Sequence, residues 1–246
     1  MKLRAFTMAE VLITLGVIGI VAAMTLPTII TSNRHKVLES QLKKSYSVIA
    51  QALDMYQAEN EVKLTPAWIP RSTTPGEWNE VKQILMKYLN VSKDCGMGSE
   101  SGASISKTCI PNYVNYDRNE NNPEIEDRKN NYKNYNKSNE ISLGKFDDGQ
   151  FVTNDGTLIL LDLSNKQRFY ISVDVNGYNK RPNILGQDLF MFQVNEKGDL
   201  LPMGVKNTDY YSETNEYCSY TSTDPMNGAG CTYKALNDKE FFKNLP

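Results

Sequence analysis

One carboxylate, Glu10, stands at the head of a stretch that runs from Val11 to Ile30 without another charge. An ionised Glu in hydrocarbon costs about 3 kcal/mol on insertion scales. A chain that keeps one there needs a partner for it. The basic leader Met1-Lys2-Leu3-Arg4-Ala5 has the look of a removable segment, and its loss would expose a new amine at Phe6, four residues before Glu10. An amine and a carboxylate at that spacing suit charge pairing between neighbouring copies of one helix. That is the chemistry of assembly rather than of catalysis.

Other residues offer further chemistry. The four cysteines stand as two close pairs, Cys95 with Cys109 and Cys218 with Cys231. Three connectivities are open, and the two local bridges are the favoured ones. Each would close a loop worth about 3 kcal/mol in the chain-entropy account and would imply an oxidising compartment. Zinc is the rival use of these residues. It prefers Cys-x2–4-Cys pairs, whereas these spacings are far longer and the only histidine, His35, adjoins the apolar run. The stretch from Asp174 to Asp188 gathers oxygen side chains around glycines, and Asp174, Asn176, Asn183 and Asp188 could supply part of the six to eight oxygens that calcium takes. The spacing is not that of an EF-hand. Turn chemistry at Asn176-Gly177, Pro182 and Gly186 is the competing reading.

With a single histidine beside the apolar run, a Ser-His-Asp or Cys-His site in the body of the chain is excluded. There is no HExxH, GxSxG or phosphate-loop pattern. Carboxylates such as Asp147 and Asp148 are plentiful, but they are ordinarily solvated or turn-forming, so no enzyme is expected. The formal net charge of −2, with scattered basic residues, argues against direct binding of nucleic acid.

The elements that must position these residues follow from periodicity. Beyond Thr31, apolar or aromatic residues recur at Leu38, Leu42, Tyr46, Ile49, Leu53 and Tyr56, one face of an α-helix. One helix from Phe6 to about Glu59 is expected, roughly 80 Å at 1.5 Å per residue, with its membrane segment at about 11–31. Pro27 lies inside it and marks a candidate bend. Residues 60–76 read as loop. Glu77 to about Asn90 reads as a second helix, with Trp78, Val81, Ile84, Leu85, Tyr88 and Leu89 on its apolar face. Residues 112–140 carry Asn, Lys, Glu and Tyr with almost no aliphatic content, so a surface loop or a disordered stretch is expected. Strands are expected at Gln150–Thr153, Thr157–Leu163, Arg168–Val175 and Leu189–Val194, with a short fifth from Leu200. Asn154-Asp155-Gly156 supplies a hairpin turn. The tail from Asn207 reads as irregular. The fold class is α+β, a long helix whose second half packs on an antiparallel sheet. The 246 residues allow a leader (1–5), the helix (6–59) and a head (60–246).

The segment Ala5-Phe6-Thr7-Met8-Ala9-Glu10-Val11-Leu12-Ile13-Thr14-Leu15-Gly16-Val17-Ile18-Gly19-Ile20-Val21-Ala22-Ala23-Met24-Thr25-Leu26-Pro27 resembles the N-terminal methylation segment of type IV pilins and type II secretion pseudopilins. The resemblance implies cleavage between Ala5 and Phe6 by a prepilin peptidase, N-methylation of Phe6 and assembly through Glu10. It implies storage in the bacterial inner membrane as a single-pass protein with an extracytoplasmic head. The partners it implies are other copies or related pilin subunits and the inner-membrane assembly machinery. Two departures stand out: Ala5 where the family usually has Gly, and Met8 and Ala9 where it has larger aliphatics. Some pseudopilins hold calcium in a head-domain loop, a likeness to the 174–188 stretch in kind and not in position. A plain membrane anchor, a cleaved secretory signal and an anchored binding or adhesion module are the alternatives.

Overall fold

The structure is a computed structural model, and it describes residues 7–69, 75–96, 109–110, 132–141, 146, 148–164 and 168–246. The leader and Phe6 lie outside the described residues, as does most of the 112–140 stretch.

Helix α1 runs unbroken from Met8 to Asn60 with Pro27 in its interior. The chain divides into two compact units, Met1–Val37 and Leu38–Pro246. The first is the apolar part of α1. It contains an 18-residue window of mean hydropathy 2.2, none of it buried, long and apolar enough to cross a membrane.

The second unit begins with the rest of α1, which buries Leu38, Leu42, Ser45, Ile49, Ala52, Leu53 and Tyr56, with Tyr46 stacked on Phe192. The heptad-like recurrence of these residues builds that stripe. A short 3-10 turn, Pro66–Trp68, follows, then α2 at Pro75–Tyr88. Val81, Leu85 and Leu89 are buried.

Six strands form one antiparallel sheet in sequence order: β1 Val91–Asp94, β2 Gln150–Thr153, β3 Leu158–Ser164, β4 Arg168–Asp174, β5 Leu189–Val194 and β6 Leu200–Pro202. Register pairs Ile159 with Val173, and Leu161 with Ile171. It also pairs Ile171 with Phe192. These residues point to the side where α1 and α2 pack, together with Phe151, Leu163 and Phe169. Leu158, Leu160, Tyr170, Leu189 and Met191 face the other way, into a second core with Ile110, Tyr132, Ile141, Phe146 and Met203. Both faces of the sheet are therefore covered, which is unusual for antiparallel strands and explains their nearly continuous apolar runs.

Part of that second cover corrects the expectation for residues 112–140. Within its described portion, Tyr132 joins this second core, Tyr135 is buried in the first, and Asn134 is buried as well. Lys133 bridges to both Glu140 and Ile184. Tyrosine rings replace the missing aliphatic side chains. The tail from Asn207 is also more ordered than expected. It holds helix α3, Cys231–Asn237, and a 3-10 turn, Phe241–Lys243, whose two phenylalanines enter the first core. Its close packing rests on glycine: at Gly204 (φ +96°) a Cβ would lie 1.9 Å from the Gly230 carbonyl oxygen. β1 has no counterpart among the expected strands.

Candidate functional site

Thr7 and Glu10 form the N-terminus of α1. The Thr7 backbone N–H donates to Glu10 Oε2 at 2.8 Å, and the Thr7 hydroxyl donates to the same oxygen at 2.9 Å. The Glu10 N–H in turn donates to Thr7 Oγ1 at 3.3 Å. This reciprocal arrangement is a capping box, and it satisfies donors that a helix end leaves unpaired. The signal Thr-x-x-Glu stood in the sequence and was missed, because Glu10 was read only for its charge.

Beyond Glu10 the helix presents an apolar surface. Leu12, Ile13, Leu15, Ile18 and Ile20 are each at least 60% exposed. Three hydroxyls along it are turned inward on their own helix: Thr14 donates to Glu10 O, Thr25 to Val21 O and Thr31 to Pro27 O, each at 2.9 Å. Hydroxyls satisfied in this way suit surroundings without water. Gly16 and Gly19 have nothing within 4 Å of a built Cβ, so that side is open to close approach.

The loop between β4 and β5 brings together Asp174, Asn176, Asn183 and Asp188. Asp174 Oδ1 accepts the Asn176 and Gly177 N–H groups, and Asp174 Oδ2 accepts the Tyr132 hydroxyl. Asp188 accepts the Asn183 N–H at 2.8 Å and the Ile184 N–H at 2.7 Å, one on each oxygen. Burial, with the Asp188 charge nearby, pushes the Asp174 carboxyl well above the usual carboxylate range. The Tyr132 hydroxyl is pushed up by burial and by Asp174. Asn176 Oδ1 and Asn183 Oδ1 are buried acceptors without a hydrogen-bond partner. Every carboxylate oxygen of the four-residue set is already engaged by a donor. Among the described residues no three His, Cys, Asp or Glu side chains gather to hold a metal ion. This is a turn network braced by Tyr132, a residue from a distant segment.

The cysteines pair as Cys95–Cys109 and Cys218–Cys231. Cys218–Cys231 ties the irregular tail to the start of α3. Between α1 and the β2–β3 hairpin lies a cleft of about 160 Å³, floored by Val48, Ile49, Leu89 and Ile159. The Lys44–Asp155 pair at 2.6 Å rims it. It has room for one apolar side chain, and Ser45, Thr153 and Thr157 also line it.

No family model, curated protein or solved structure matches this chain.

Proposed function

We propose that this chain is a prepilin-like subunit of a type II secretion pseudopilus or a type IV pilus-like filament. In this reading a prepilin peptidase cuts between Ala5 and Phe6 and methylates Phe6. The subunit waits in the bacterial inner membrane and assembles through α1. The observation that carries the reading is the surface of α1 from Val11 to Ile30: apolar and exposed among the described residues, with one carboxylate at its entrance. A lipid bilayer or a bundle of neighbouring copies would cover that surface equally well. Moving from one to the other therefore exchanges one apolar environment for another. Glu10 would set the register by meeting the amine of an adjacent copy. The two disulfides suit a head on the oxidising side of the membrane.

Glu10→Val tests the assembly step. It is expected to insert in the membrane at the wild-type level yet fail to enter filaments when expressed beside the processing peptidase and assembly proteins. Normal incorporation of Glu10→Val would refute the charge-pairing account. Replacing residues 11–30 by an unrelated apolar helix separates this reading from an anchored binding module. A binding module keeps its activity after the exchange, and a filament subunit loses assembly.

A further inference from the structure

We propose that Thr7 is a positioning residue that holds Glu10 on its own chain until the amine of a neighbouring copy displaces it. This inference rests on the assembly reading above. Two donors from Thr7 converge on one carboxylate oxygen, Glu10 Oε2. Glu10 Oε1 accepts no hydrogen bond from the other described residues. The remaining hydroxyls near the start of α1 offer nothing, because Thr14 donates to main-chain carbonyls at Glu10 and Val11.

The carboxylate is thus half claimed and half open. While the subunit is alone, the Thr7 hydroxyl and N–H keep the charge tied to the first turn of the helix. An arriving ammonium that takes the carboxylate for itself must draw Oε2 away from these two donors. Thr7 offers the carboxylate only neutral donors, whereas the ammonium adds a full opposite charge, so the amine wins once it is present. The hydroxyl sets how readily that happens, and Thr7 therefore acts against association of isolated subunits in the bilayer.

The test uses the full chain, processed by the peptidase, fused at its C-terminus to donor or acceptor fluorophores and reconstituted in lipid bilayers at fixed density. Thr7→Val keeps the branched shape and the backbone N–H but removes the hydroxyl. Association between copies should rise roughly fivefold, the factor that one hydrogen bond is worth. Thr7→Ser should match the wild type, which a purely steric role for the threonine methyl group would not produce. In a Glu10→Gln background, Thr7→Val should change nothing. Association of Thr7→Val at or below the wild-type level, or a Thr7→Ser chain that behaves like Thr7→Val, would overturn the role of Thr7. Glu10→Gln associating as well as the wild type would instead remove the assembly reading on which the role depends.

Discussion

Asp174 shows how one side chain couples a turn to pH. Its carboxyl lies among buried groups near Asp188 and is held above its ordinary value of 3.8 in the folded chain. The folded state therefore binds a proton more tightly than the unfolded state. By linkage, stability contributed by this group is full below 3.8 and is lost as pH rises through the raised folded value. Asn at this position keeps the acceptor for the Asn176 and Gly177 N–H groups and cannot ionise. Asp174→Asn is thus expected to unfold at a urea midpoint equal to or above that of the wild type at pH 8. The difference between the two should shrink towards pH 4. Urea titrations of both chains across that range decide it. A wild type that gains on Asp174→Asn as pH rises would show that the carboxylate is wanted charged. Adding calcium at pH 8 should leave the wild-type midpoint where it was.

At the scale of elements, α2 is fastened to the sheet through a buried cation. Lys82 is 2% exposed and pairs with Asp94 of β1, whose side chain is 42% exposed. Burial works against the Asp94 charge. Its bonds to Lys82 and to the Gly96 N–H outweigh that, and its carboxyl sits below the usual range. Removing one member of a largely buried pair strands the other. Asp94→Ala should cost about 2 kcal/mol, reduced from the fully buried case by the solvent that reaches Asp94. Lys82→Met, which fills similar volume without a charge, should cost less than about 1 kcal/mol. Chemical denaturation of the two variants checks the order, and Lys82→Met costing more than Asp94→Ala would show that the charge itself is needed. Lys82 was invisible in the sequence because nothing local distinguishes it from the solvated lysines around it.

The same holds for β1: Val-Ser-Lys-Asp has one apolar residue, and it becomes a strand because the β2 edge is there to pair with it. By contrast α1, α2 and β2–β6 were legible, since their burial patterns repeat at helical spacing or sit in long apolar runs. Those runs held a further clue. Leu-Ile-Leu-Leu-Asp-Leu does not alternate, and a strand buried on both faces needs a second cover. Tyr132 supplies part of it from a stretch whose composition suggested a loop. Of the candidate site, Glu10 was legible by its isolation. Thr7 was legible only as a capping signal, and its consequence depends on geometry.

On the scale of the whole molecule, the boundary that matters falls inside a helix. Residues up to Val37 form one unit and Leu38–Pro246 the other, although α1 continues through that point to Asn60. The second half of α1 belongs to the head by burial. Leu42 and Ile49 are at most 1% exposed, and both lie in the main core. Each buried aliphatic side chain contributes about 1.5–3 kcal/mol. The stripe from Leu38 to Tyr56 is therefore worth about as much as the entire net stability of a domain, 5–15 kcal/mol. A chain beginning at Ser32 keeps that stripe and lacks the exposed apolar surface. It should stay in solution without detergent, remain monomeric and melt in one cooperative transition. A chain beginning at Ala58 loses the stripe and should not reach a fixed tertiary structure. Near-ultraviolet circular dichroism with thermal melts distinguishes them, run under oxidising conditions so that both disulfides form. If the Ser32 chain were to aggregate or melt without cooperativity, the apolar segment would be part of the folded core, and its availability to lipid or to neighbouring copies would have to be abandoned.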